Sequence, residues 1–262
     1  MIPLVEHLAA TWASVDELCT GFTDAEWATP TGCPGWTVQD QVAHLVDYEA
    51  VALGRPRPDH AVADLSHTKN DMGAANEVGV DARRAMAGAE VLAELREVVA
   101  ARMERLARLD ESRLADEAPT AVGTGTVRDA LTLRLMDTWS HEQDIRRALA
   151  RPGHATGPAV DAVLDWWTSF LPVLVGKRAA APEGSTTVLR LDGRAPISVT
   201  VTEGRAGVDR DENRPATVEL AMDAPTFAAF VGARTDAPRD QVTITGDTAL
   251  GERVLAALGF LP

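Results

Sequence analysis

The feature that most constrains this chain is a change in residue usage part-way along it. From Val5 to about Ala148 the sequence is rich in Ala, Leu, Glu and Arg with apolar residues at helical spacing; past Ala179-Ala180-Ala181-Pro182 it alternates or concentrates β-branched residues. Straight-chain residues lose little rotamer freedom in a helix, whereas β-branched ones suit a pleated sheet. Over 262 residues, such a switch implies two compact units rather than one. The expectation is a four-helix bundle over 1–155 and a smaller α+β domain over 156–262, with Pro152-Gly153 and Gly157-Pro158 punctuating the boundary.

The periodicity predicts helices over 3–20, 37–53, 81–108 and 126–149. Two have start signals: Thr37 with Asp40 and Thr126 with Asp129 place a hydroxyl at the N-cap and an acid at the third helical position. Pro34-Gly35 and Gly123-Thr124-Gly125 read as the preceding turns. Between the second and third helices, Gly54 to Gly79 has no clear period and reads as a long loop. A further apolar helix is expected over about 159–176. Strands are predicted at Thr187–Leu191, Ile197–Val201, Val218–Leu220 and Val242–Ile244, interleaved with helices at Ala224–Gly232 and Thr248–Leu258.

Composition excludes several functions. A formal charge of -14 repels phosphate backbones and anionic lipid surfaces, so nucleic acid and membrane are not expected partners. Cys19 and Cys33 are too few for a disulfide framework, and no basic segment followed by an apolar run opens the chain; a reducing cytoplasm is the expected location. The most apolar segment, Ala159 to Gly176, is interrupted by Asp161, Asp165 and Pro172 and reads as a packed helix.

Two segments could carry chemistry: CPGWTVQDQVAHL at 33–45 and RLMDTWSHEQDIRRAL at 134–149. Asp137 and His141 are four residues apart, which stacks them on one helix face at a separation compatible with a shared metal ion. His44 is the best third ligand, because two imidazoles and one carboxylate leave a position open on a divalent cation. On helical geometry alone, Asp137, His141 and Asp144 lie opposite Leu131, Leu135 and Trp139, so a solvated polar face is the competing reading.

These two segments resemble the N-terminal signature of the mycothiol-dependent maleylpyruvate isomerase family, itself similar to DinB-like metal-binding four-helix bundles. The stretch from Thr186 to Leu258 looks like that family's sterol-carrier-like α+β domain. The resemblance implies that His44, Asp137 and His141 hold a divalent metal, zinc or a similar ion, and that mycothiol is the thiol cosubstrate. It also implies an arginine of the C-terminal domain at the active site, without choosing among Arg234, Arg239 and Arg253; Arg234, just past the helix ending at Gly232, could pair with carboxylates of an anionic thiol or substrate. Where the family's usual ligand is Glu, this chain has Asp137, one methylene shorter.

Other residues are weighed against plainer roles. Trp36 and Trp139 could wall an apolar substrate pocket, although core packing is the expected role of both. Cys33, before a proline turn, is read as structural rather than nucleophilic. Asp144 could orient His141 by hydrogen bonding if the chain bends near the site, or equally be a solvated acid. His7, His60 and His67 are read as ordinary surface or loop histidines, and Thr245-Gly246-Asp247 as a structural turn. The resulting expectation is thiolate addition to a small electrophilic substrate, leading to isomerisation or S-transfer. Its rivals are a metal-dependent hydrolase that needs no thiol and a non-catalytic small-molecule-binding protein with weakened metal affinity. Oligomeric state has no signature in the sequence.

Overall fold

In the computed structural model, which describes residues 2–120, 123–209, 211 and 214–260, the chain forms two compact units that divide between Val160 and Asp161. The first is helical. It contains α1 (Pro3–Cys19), α2 (Asp24–Trp27), α3 (Val38–Ala52), α4 (Asp71–Asp81), α5 (Gly88–Leu106), a two-stranded antiparallel hairpin of β1 (Glu117–Thr120) and β2 (Gly123–Thr126), and α6 (Val127–Ala148). Helices α1, α3, α5 and α6 each pack on two of the others: α1 on α5 and α6, and α3 on the same pair. Val15, Val42, Leu45, Val46, Leu92, Leu95 and Ile145 meet in the middle of this bundle and exclude water.

Both anticipated caps are present as full capping boxes. The Thr37 hydroxyl accepts from the Asp40 amide while the Asp40 carboxylate accepts from the Thr37 amide, and Thr126 and Asp129 do the same. These caps satisfy amides that a helix start leaves without partners. They also fix where the candidate site residues fall on α3 and α6.

Three expectations fail. The predicted helix over 81–108 begins at Gly88, and the supposed loop before it contains α4, capped by the Asn70 side chain on the Gly73 amide. Gly79 explains the second point: a Cβ there would lie 2.1 Å from the Asp47 carboxyl carbon, so glycine is what lets α4 lie directly against α3. The Gly123-Thr124-Gly125 stretch is strand β2, not a turn. It pairs with β1 as the second arm of a local antiparallel hairpin, with Thr120 opposite Gly123.

The second unit comprises α7 (Pro158–Thr168, its first residues across the division), the short α8 (Leu171–Val173), a π-helical turn Leu174–Arg178, strands β3 (Thr186–Leu191), β4 (Ile197–Thr202), β5 (Arg205–Asp209), β6 (Val218–Met222) and β7 (Thr243–Gly246), and helices α9 (Ala224–Val231) and α10 (Thr248–Ala257). The sheet order is β5-β4-β3-β6-β7, parallel only between β3 and β6. Strand β5 was not anticipated; Arg205–Asp209 has too little alternation to show itself. The Gly246-Asp247 turn is structural as expected: Gly246 adopts φ +88° and the Asp247 side chain caps α10 at Leu250. The run from Pro158 to Arg178 is long and apolar enough to cross a membrane by length and composition, yet half of its most apolar window is buried inside the protein. Val163, Leu164, Trp167, Leu171 and Leu174 form that buried stripe, with Trp167 edge-on to Phe227.

Candidate metal centre

His44 projects from the middle of α3, and Asp137 and His141 from adjacent turns of α6. Their ligand atoms all lie within 4.8 Å of one another. His44 Nε2 is 3.3 Å from Asp137 Oδ2, His141 Nε2 is 3.5 Å from Asp137 Oδ1, and the two imidazole centroids are 4.7 Å apart. Zinc bonds of about 2.0–2.1 Å at a tetrahedral angle put nitrogen and oxygen ligands about 3.3 Å apart, so these three side chains fit a single cation with little movement. The reading of this polar helix face as solvated surface is overturned for His141 and Asp144, which are buried, while Asp137 stays partly exposed; His44 on α3 is buried too.

Counter-charges make that burial tolerable. Arg134, one turn before Asp137, donates from Nη1 to Asp137 Oδ2 at 2.9 Å and from Nε to Glu49 Oε1 at 2.9 Å; Arg102 holds the other Glu49 oxygen at 2.9 Å. The Arg134 guanidinium lies 3.7 Å from the centroid of Tyr48. Sequence reading missed this network. The i, i+3 spacing of Arg134 and Asp137 was its one local signal.

The electrostatics follow. Burial opposes charge on Asp137, but Arg134 and then the two imidazoles outweigh it and hold its carboxyl well below the usual carboxylate range. Burial also penalises a charged His141, yet Asp137, followed by Asp144 and Cys33, raises it well above an ordinary imidazole. His44 goes the other way: burial pushes it down, only partly countered by Asp137, which keeps it neutral and able to ligate.

Asp144 sits where an orienting partner should. Its Oδ2 is 3.4 Å from His141 Nδ1, the nitrogen facing away from Asp137, and its Oδ1 accepts from Arg147 at 2.8 Å. No helix bend is needed. Cys33, expected to be merely structural, donates its thiol to the same Oδ2 at 3.4 Å.

The tryptophans separate. Trp139 is a core residue as expected, fully buried, with Nε1 donating to the His154 carbonyl at 2.9 Å. Trp36 is not: only partly buried, its ring covers both imidazoles at centroid distances of 5.2 Å and 5.8 Å. Its Nε1 donates to Glu77 Oε2 at 2.8 Å, which ties α4 to the site. Glu77, fully buried, also meets His67 at 3.1 Å and Arg84 at 2.6 Å. It escaped notice because its helix was read as loop. Gly35, at φ +77°, allows the preceding turn to lie against the His67 ring.

His60 pairs with Asp81, and His7, His60 and His67 join no candidate metal group among the described residues. In the second unit Arg234 donates to the Gly232 carbonyl at 2.8 Å, Arg239 pairs with Glu252, and Arg253 donates to the Ala179 carbonyl at 3.0 Å.

Known proteins share this architecture. The crystal structure of the mycothiol-dependent maleylpyruvate isomerase superposes with a TM-score of 0.57 at 17% identity, covering 92% of this chain and 91% of that one. A mutant of that enzyme gives a TM-score of 0.56 at 15% identity, with coverage of 92% and 91%. At these identities the likeness concerns the fold. Two uncharacterised proteins of Mycobacterium tuberculosis, from strains CDC 1551 / Oshkosh and ATCC 25618 / H37Rv, are 32% identical over 151 residues, 56% of this chain and 56% of theirs. The chain thus spans little more than half the length of these curated relatives. The family profile described as the mycothiol maleylpyruvate isomerase N-terminal domain matches residues 8–146, and that of the corresponding C-terminal domain matches 158–253. Since these two matches take in both units and the first alone exceeds half of the chain, this protein belongs to the mycothiol maleylpyruvate isomerase family.

Proposed function

We propose that this protein is a divalent-metal-dependent, mycothiol-using enzyme that adds the thiol sulfur to a small electrophilic molecule, as an isomerase or an S-transferase. The observation that carries the proposal is the convergence of His44, Asp137 and His141 to metal-ligand separations within a bundle of this family. These three residues would hold the cation, and zinc suits two imidazoles and a carboxylate. When bound, a divalent cation lowers the pKa of a thiol that it contacts.

The chain's own residues divide the remaining work. His44 is neutral through burial and needs no deprotonation. His141 must give up a proton at Nε2 to become a ligand, while the Asp144 carboxylate, 3.4 Å behind Nδ1, favours the tautomer with its proton on that side. Arg134 fixes the orientation of the shorter Asp137 side chain. Trp36, anchored by Glu77, shields the imidazoles from water. With both imidazoles engaged, no protein nucleophile is required, and the same sulfur addition serves isomerisation or transfer.

The test is turnover of maleylpyruvate by zinc-supplemented protein with mycothiol, beside the His141→Ala variant. Thiol-dependent turnover lost in the variant is expected. Zinc-dependent turnover without thiol would instead mark a hydrolase. One observation favours a second reading, a binding module with weak metal affinity: Arg134 already occupies Asp137 Oδ2. Near-zero metal per chain, with no uptake on adding zinc, would establish that reading and remove ours.

A further inference from the structure

His141 faces a second set of ligand atoms on its other side. Cys33 Sγ, His141 Nδ1 and an Asp144 carboxylate oxygen lie within 4.8 Å of one another, and all three residues are buried, at 7%, 7% and 2% exposure. Sγ and Nδ1 are each 3.4 Å from Asp144 Oδ2. Bonds of about 2.3 Å to sulfur and about 2.0–2.1 Å to nitrogen and oxygen predict about 3.6 Å and 3.3 Å for these pairs in a tetrahedral site. Nδ1 is moreover a buried nitrogen with no well-formed hydrogen bond, its 3.4 Å contact with Asp144 included. Such an atom is normally satisfied by a partner or an ion.

We propose that Cys33, His141 Nδ1 and Asp144 form a separate binding site for a soft, thiophilic divalent cation, mutually exclusive with the His44–Asp137–His141 site. The donor set selects the cation class, since thiolate ligands favour soft ions over magnesium or calcium. Arg147 donates to Asp144 Oδ1, and Oδ2 is the carboxylate oxygen that meets both Sγ and Nδ1. On binding, the Cys33 thiol gives its proton to solvent and the sulfur lone pair bonds the cation, with no redox change. Exclusion follows from the imidazole: in its neutral form one nitrogen carries a lone pair and the other a proton. Coordination through Nδ1 leaves Nε2–H pointing at Asp137, so His141 is lost to the first site. The inference does not depend on mycothiol use, and a soft cation would act there as an inhibitor.

Cadmium is the probe, added to the full chain under reducing, chelator-free conditions while the ultraviolet thiolate-to-cadmium charge-transfer band is followed. The band should appear in the wild type and persist in His44→Ala, which removes a ligand of the first site alone. It should vanish in Cys33→Ser, whose zinc uptake stays within about threefold of wild type and reports a folded protein. Preloading with zinc should weaken the band. A band absent from both wild type and His44→Ala, or surviving in Cys33→Ser, overturns the site. A band undiminished by zinc overturns the sharing of His141.

Discussion

The two units solve the burial problem in different ways. The helical unit buries charge throughout its interior: Asp40, Asp47, Glu49, Glu77, Arg102, Arg134, Glu142 and Asp144 are all buried. Among the described residues of the second unit, the buried polar residues carry hydroxyls and no charge: Thr168, Ser185, Thr186, Thr187, Thr200 and Thr226. Removing charge from water costs several kcal/mol per ion unless pairing recovers it, while a hydroxyl is satisfied by one hydrogen bond. The second unit is thus packed for stability. The first keeps charges that stability alone does not require, and two of them reach the site, Asp144 beside His141 and Arg134 through Asp137.

The largest effect expected from that contrast is loss of the metal. His141→Ala should abolish zinc uptake measured by elemental analysis; uptake equal to wild type would place the cation elsewhere. Next comes Arg134→Ala, which leaves the Glu49 and Asp137 carboxylates short of their counter-charge. It should destabilise the helical unit by about 3–5 kcal/mol in chemical denaturation, and a change below about 1 kcal/mol would mean that the network is not under electrostatic strain.

Asp144→Asn should weaken zinc affinity by about 10- to 100-fold, the usual cost of losing a partner behind a metal-bound histidine. The pH dependence of affinity gives a smaller, graded effect. His141 holds its proton above the ordinary imidazole range, so a cation must displace that proton at neutral pH. Affinity should therefore climb by about tenfold per pH unit as pH rises from about 6.5 towards the raised value, then level off. Calorimetry in buffers of differing ionisation enthalpy would count the released proton. The smallest effect belongs to the second unit: Thr200→Val removes the hydroxyl joining Thr186 and Asp209 and should cost about 1 kcal/mol, with zinc uptake unaltered.

Much of the architecture was legible because it is local. The capping boxes at Thr37 and Thr126 need only three residues' spacing, and they appeared where expected. The β-branched stretches became β3, β4, β6 and β7, since alternation describes which residues face a core whatever that core is made of. The helix α4 was not legible. Asn70 before Asp71 is a start signal, but Gly73 and Gly79 weaken helical propensity, and contact with α3 decides the matter.

What the sequence determined by itself was the division into a helical and a mixed unit, and the stacking of Asp137 and His141, because a helix fixes the relation of residues four apart. Only the tertiary structure decided that this polar face is buried, that His44 meets it from 93 residues away and that Cys33 reaches Asp144 across 111. The reason is that a helix's own periodicity defines its faces but not their environment. A face bearing Asp, His and Arg belongs in water until another element supplies the opposite charges, and here Glu49 and Arg102 come from α3 and α5.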